Sequence, residues 1–214
     1  MATSVTDIFR RVRHLIQDGA AIRWRDEELL LWLNDAQREL LLFKPDANAV
    51  AATFTCAAGT RQTLPAGGIQ LLDIPRNTSG RVVRRVQRAV LDAERPDWHS
   101  ETGATVVRWF CYDARTPTVF YVSPPSNGTA SVELLYGAIP DTLSMDDDIG
   151  LADIYVGPLV DYVCYRAYAK DSDFAQSAER AKMFYNSFYT AMTGKQLAEL
   201  ESVQPPGEST DAVR

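Results

Sequence analysis

The chain has 214 residues, 46% hydrophobic and 23% charged, a globular balance that suits one domain or two small ones sharing a core. No apolar run approaches the ~18 residues that a membrane span requires. Met1-Ala2-Thr3-Ser4-Val5-Thr6-Asp7 has neither the basic nor the apolar region of a signal peptide, so synthesis and assembly are expected in the cytosol. The formal charge of −6 is uneven: residues 1–100 carry 14 Lys+Arg against 12 Asp+Glu, and residues 101–214 carry 8 against 16. That is not the basic stripe of a nucleic-acid binder, and contact with DNA is expected to be loose, or repulsive on the acidic side.

A first helix is predicted over 6–17, capped by Thr6 or Ser4, with Ile8, Val12 and Leu15 as its apolar stripe and Asp18-Gly19 as its stop. A second runs over 26–43. Asp26 is its expected N-cap, and Leu29, Leu33, Ala36, Leu40 and Phe43 repeat at four, three, four and three; Leu30 and Gln37 flank that stripe. Lys44-Pro45-Asp46 ends it. From 49 to 140, short runs rich in Val, Thr, Phe and Tyr alternate with Gly, Pro and Asn turns. Strands are predicted near 50–56, 69–74, 81–90, 105–111, 118–122 and 130–136, the last two forming a hairpin about Pro124-Pro125-Ser126-Asn127-Gly128.

Helices return after Pro140. One is predicted over 152–170, with Val156, Leu159, Val160, Val163 and Ala167 facing inward and Pro158 tolerable in its first turns. After Asp171-Ser172-Asp173 another runs over 174–193. Its seam is Phe174, Ala178, Ala181, Tyr185, Phe188 and Met192, and Gly194 is its C-cap. Residues 195–214 contain Leu197, Leu200 and Val203, then Pro205-Pro206-Gly207 and polar residues, and cannot bury enough apolar surface to fold alone. The expected fold class is α+β. An α-helical bundle of two N-terminal helices (1–48) and a C-terminal helical hairpin (141–194) carries an inserted antiparallel β region (49–140) and an extended tail (195–214).

No constellation for catalysis is present, and no enzyme, cofactor or resident metal is expected. The histidines are His14, on a helix beside Arg11 and Arg13, and His99, in a turn after Trp98; P-loop, Gly-x-Ser-x-Gly and Gly-x-Gly-x-x-Gly patterns do not occur. Cys56, Cys111 and Cys164 form no CxxC pair and read as buried hydrophobes. Asp146-Asp147-Asp148 with Gly150 lacks the third oxygen ligand and closing Glu of a calcium loop. It reads as an acidic turn capping the 152–170 helix, with a divalent metal at a subunit contact as the alternative. Arg81, Arg84, Arg85 and Arg88 make one dense basic cluster; on a strand, Arg81 and Arg85 would face one side and Arg84 and Arg88 the other, with no aromatic interleaved. Salt bridges to an acidic neighbouring subunit, a solvated strand edge and DNA contact are the readings open to it. The last two helices carry Tyr155, Tyr162, Tyr165, Tyr168, Phe174, Phe184, Tyr185, Phe188 and Tyr189, more aromatics than one seam takes. Tyr155, Tyr162 and Tyr189, with the four arginines, are assigned to subunit or tail contacts.

Four segments carry a resemblance: Trp32-Leu33-Asn34-Asp35-Ala36-Gln37-Arg38-Glu39; Arg84-Arg85-Val86 through Pro96-Asp97-Trp98-His99; Phe120-Tyr121-Val122-Ser123-Pro124-Pro125; and Asp161-Tyr162-Val163-Cys164-Tyr165-Arg166-Ala167-Tyr168 with Lys170-Asp171. In this order, over residues 5 to 195, the chain resembles the head-to-tail adaptor (connector) proteins of tailed bacteriophages. The resemblance implies a structural protein of the virion neck, made in the host cytoplasm. It implies a homo-oligomeric ring, a dodecamer, between the portal protein and a tail or nozzle protein, through which DNA passes without specific binding and without any membrane contact. It also implies a C-terminal segment that docks on the portal; its anchors here would be Leu197, Leu200, Val203, Val213 and Arg214. The competing readings are another neck or tail-completion protein and a nucleic-acid-binding domain.

Overall fold

The computed structural model describes residues 3–171 and 175–202, with 195–202 as backbone only. The chain divides into two compact units, one from residues 1–44 and 142–214 and the other from residues 45–141. The first is helical and discontinuous in sequence; the second is mainly β and inserted within it.

In the helical unit, α1 spans Val5–Ile16. Ser4 is its cap, the Oγ accepting from the Asp7 N–H at 3.1 Å, and Gln17 closes it in the left-handed conformation. Its buried face is Val5, Ile8, Phe9, Val12 and Ile16. Leu15, expected in the stripe, is 44% exposed, because the spacing of four from Ile8 and Val12 continues to Ile16. Helix α2 spans Asp26–Phe43, and Arg25, not Asp26, stands at its N-cap. Asp26 instead joins Glu27 and Glu28 in the first turn, where carboxylates favour the helix dipole. Leu29, Leu33, Ala36 and Leu40 have no accessible surface, and Gln37 is buried beside them.

A short 3-10 turn, Asp153–Tyr155, leads into α4 (Val156–Lys170), which packs against α1, α2 and α5 (Ala175–Ser202). Val156, Leu159, Val160, Val163 and Ala167 are all buried, as expected. The α4–α5 seam is aromatic: Tyr162 lies 5.3 Å from Phe188, Tyr165 5.1 Å from Tyr185, and Tyr168 stacks on Phe184 at 5.8 Å. Of the expected seam residues, Ala181, Phe188 and Met192 are buried and Ala178 is exposed; Phe174, Ser172 and Asp173 lie outside the described residues. Gly194 does not end α5. A single helical glycine costs only about 1 kcal/mol, and the good helix formers that follow it carry the helix to Ser202.

The β unit holds seven strands: β1 (Ala49–Thr55), β2 (Gly59–Thr63), β3 (Gly68–Asn77), β4 (Arg84–Arg85), β5 (Trp109–Tyr112), β6 (Val119–Ser126) and β7 (Ser131–Ala138). They form a three-stranded sheet in the order β1-β7-β3 and a four-stranded sheet in the order β2-β6-β5-β4. One core joins Leu71, Ile74, Val132 and Leu134 of the first sheet to Phe110, Phe120 and Val122 of the second. Three expectations are corrected here. The β6–β7 hairpin does not exist, because β6 pairs with β2 and β5 while β7 pairs with β1 and β3, so the Pro124–Gly128 region carries the chain from one sheet to the other. The region is not wholly antiparallel, since β4 and β5 run parallel. The 81–90 strand shrinks to Arg84–Arg85, after which α3 (Arg88–Glu94) forms from the helix-favouring run Ala89-Val90-Leu91-Asp92-Ala93. Strand β2, Gly-Thr-Arg-Gln-Thr, was not legible because its polar residues lack the alternation of a strand.

Buried amides close the turns of this unit. Asn77 donates to the Arg81 and Val107 carbonyls at 3.0 and 2.8 Å and accepts from the Val107 N–H at 2.9 Å. Gln62 does the same across the Ala57–Gly59 turn. Gly137 lets the turn at Pro45 lie on β7: a Cβ there would stand 2.2 Å from the Pro45 carbonyl oxygen. Where the chain returns to the helical unit, Asn34 of α2 holds Leu143 by both backbone groups, accepting from its N–H at 2.8 Å and donating to its carbonyl at 3.2 Å.

Leu33 lies at the centre of the α2 stripe with no accessible surface. Leu33→Ala should therefore lower unfolding stability by about 2–5 kcal/mol, read by denaturant or thermal melting. A loss near zero would show that α2 does not hold this core.

Candidate functional site

Arg81, Arg84, Arg85 and Arg88 are all exposed on the four-stranded sheet and its flank. The alternation expected of a long strand applies only to Arg84 and Arg85; Arg88 belongs to α3. Aromatic partners absent from the local sequence arrive from β5 and β6. The Arg85 guanidinium lies 4.5 Å from the Tyr112 ring, that of Arg88 5.8 Å from Tyr121, and that of Arg95 5.5 Å from Trp109. Arg88 also pairs with Asp92 at 3.3 Å, and Arg95 with Glu101 at 2.7 Å. His99 stacks on Trp98, and its Nδ1 shares a hydrogen bond of 2.8 Å with Thr60 Oγ1. The Trp98 indole, fully buried, donates to Asp92 at 2.9 Å and so ties the 95–99 turn to α3. The result is a surface of arginines, tyrosine and tryptophan, the residue types that dominate protein contact energetics.

The acidic run behaves differently from its expected role. The Asp147 carboxylate accepts from the Ser144 N–H and hydroxyl at 2.6 and 2.8 Å, which holds it below the usual carboxylate range. Its carbonyl accepts from the Val5 N–H, and Ile149 donates to the Thr3 carbonyl. The run therefore clasps the segment before α1, and no side chain caps the 3-10 turn or α4. Among the described residues, no group of three or more His, Cys, Asp or Glu side chains could hold a metal ion, and no helix is long and apolar enough to cross a membrane. The three cysteines are free and buried; burial pushes the Cys56 thiol up to about 11 and that of Cys164 to about 12, far from a reactive thiolate.

A groove of about 890 Å³ runs between α1 and α4, with Phe9, Leu15, Met145 and Val160 among its lining and the exposed Arg10, Arg11 and His14 along one side. Asp161 borders it; burial raises its pKa, against the hydrogen bond from Ser187 at 2.6 Å. Asp18 fixes the 18–25 turn, next to the groove-lining Gly19. Burial alone would raise this carboxyl, but the N–H groups of Trp24, Arg23 and Ile22 donate to it, and Arg13 lies beside it at 3.2 Å, so its pKa is lowered. Arg13 reaches on to Asp26, joining α1, the 18–25 turn and α2.

A group with a lowered folded pKa stabilises the protein above its unfolded value and loses that contribution as pH falls through the folded value. Asp18→Ala should therefore cost about 1–3 kcal/mol or more near neutral pH by leaving buried N–H donors unpaired. The gap in melting temperature from the parent should narrow as pH falls below the ordinary carboxyl value of 3.8. A gap that does not change with pH would remove the ionised carboxylate from this account.

Of the contact tyrosines, Tyr155 and Tyr162 are buried within the helical unit and Tyr189 is 48% exposed. The α4–α5 seam thus absorbs most of the aromatics that the sequence left over. Asp161 meets Ser187 and Tyr162 meets Phe188, so α4 begins opposite residues 192–194 and the α5 backbone of 195–202 runs on past it by about 12 Å. The positions of Leu197 and Leu200 fall on this extension, while Val203, Val213 and Arg214 lie outside the described residues. Charge also sorts by segment. Residues 1–44 carry 7 basic and 7 acidic side chains, residues 45–141 carry 9 and 9, and residues 142–214 carry 6 and 12, the whole deficit of the chain.

None of the curated proteins matches the chain. A family model described as SU10 adaptor protein matches residues 3–210, nearly the whole sequence and both structural units. The chain belongs to this family of phage head–tail adaptors and is a structural protein of the virion.

Proposed function

We propose that the chain is one subunit of a ring, a dodecamer, that joins the portal protein to the tail or nozzle protein and leaves a passage for DNA. Membership of the adaptor family carries this reading. Four features support it. The helical extension of α5 beyond its partner helix offers Leu197 and Leu200, with Val203, Val213 and Arg214 beyond, as anchors for the portal. The Arg81, Arg84, Arg85 and Arg88 patch, backed by Tyr112 and Tyr121, suits an acidic protein face on a neighbouring subunit or on the tail. Tyr189 adds exposed aromatic area on α5, whereas Tyr155 and Tyr162 serve contacts indirectly by fixing α4. Acidic residues concentrated in 142–214 would repel DNA phosphates and keep packaged DNA mobile in the channel.

Exposed apolar residues on the helical unit form no large continuous patch, so the isolated protein should be largely monomeric at low concentration and should form rings when portal is present. Deleting residues 195–214 tests the docking role. The truncated protein should keep its melting temperature, and its circular dichroism apart from the helical signal of residues 195–202, but fail to join portal in a sedimentation assay. Unchanged portal affinity would remove the segment from the interface, and a stable closed ring at micromolar concentration without portal would contradict portal-dependent assembly.

A further inference from the structure

We infer that the α1–α4 groove is a self-docking site that receives the outer face of α2 from a second copy of this chain. The floor of the groove is apolar, with Phe9 and Val160 buried and Leu15 standing 44% exposed at its rim. Gly157 lies on its α4 side, and a Cβ there would meet nothing within 4 Å, so the groove has room for an incoming side chain. Arg10, Arg11 and His14 stand exposed along the α1 side. The two carboxylates that also border it are engaged at home, Asp26 by Arg13 and Asp161 by Ser187.

The complementary surface is the face of α2 opposite its buried stripe. Glu27, Leu31, Asp35, Arg38 and Leu42 follow one another at spacings of three and four, and Leu31 and Leu42 are 65% and 76% exposed. One exposed leucine is ordinary. Two in line on a single helix face, with Glu27 exposed beside them, match an apolar floor bordered by the exposed Arg11 and His14; Asp35 on the ridge pairs with Arg38 and Arg166, and Arg10 on the wall pairs with Asp7. The dimensions agree: Leu31 and Leu42 are separated by about 16 Å along the helix, and Thr6 to Leu15 along the groove wall spans about 14 Å. Groove and ridge are different surfaces of one chain, so the contact is head-to-tail. Each copy offers both a groove and a ridge, and such a contact closes into a ring when the rotation per subunit allows. The inference rests on the ring reading above and names the contact between neighbours.

The test uses the full-length chain without portal or tail protein, so its failure leaves portal docking to be judged separately. A photo-reactive benzoylphenylalanine replaces Leu31 in heavy-isotope-labelled protein, which is mixed at millimolar concentration with unlabelled protein and irradiated. Cross-links from labelled to unlabelled chains should map to the α1 and α4 residues of the groove. They should be lost when the unlabelled copy carries Gly157→Leu, whose side chain fills the groove. If that variant fails to fold, Arg11→Glu in the unlabelled copy reverses a wall charge and should weaken the cross-links instead. No intermolecular cross-links, cross-links to other surfaces, or cross-links insensitive to these substitutions would overturn the inference.

Discussion

The whole architecture depends on how α2 receives the returning chain. A helical unit interrupted by residues 45–141 must recover its second half in register, and a long insertion supplies no stiffness of its own. Asn34 supplies the register. It faces the core from α2 and pairs with the N–H and carbonyl of Leu143 as a neighbouring strand would, leaving neither backbone group of that residue unpaired. Its Nδ2 also donates to the Leu30 carbonyl of its own helix, so the side chain is held from both sides. From that point the acidic turn clasps the segment before α1, and α4 enters between α1, α2 and α5. An apolar residue at position 34 could fill the space but would leave two buried backbone groups without partners.

The same device recurs inside the β unit. Asn77 and Gln62 satisfy backbone groups at places where no strand can, and each is almost wholly buried. Side-chain amides suit this task because each carries both a donor and an acceptor. The turns they close position the 81–99 region, which carries the arginine–aromatic surface. That surface therefore sits on a fixed scaffold, while the acidic deficit lies elsewhere in sequence, in residues 142–214. Under the proposed function, keeping these two charge populations apart in sequence would let one serve protein contacts and the other repel DNA.

Helices were legible in the sequence because their apolar residues repeat with the helical period; the α2 bounds and the α4 inner face follow directly. The β unit was legible in composition but not in pairing. Val119 to Val122 and Val132 to Tyr136 alternate as a hairpin does, yet strands of two facing sheets alternate in the same way, and nothing local distinguishes the two. The aromatic partners of the arginines were invisible for a related reason: Tyr112 and Tyr121 lie more than twenty residues downstream and reach the cluster only through the sheet. The groove is not legible in the sequence because Leu15 fits the apolar stripe of α1 by spacing, while helical phase gives that place to Ile16. Gly194 misled in the other direction, since a glycine is a stop signal only when the residues beyond it do not favour helix.

The most direct measurement is a subunit-resolved cryo-electron reconstruction of the neck of virions that carry this protein. The account predicts copies of the chain in a ring immediately below the portal, with Arg81, Arg84, Arg85 and Arg88 against protein and with acidic or neutral side chains facing the DNA. Placement of the chain away from the portal–tail junction, or those four arginines directed at packaged DNA, would contradict it.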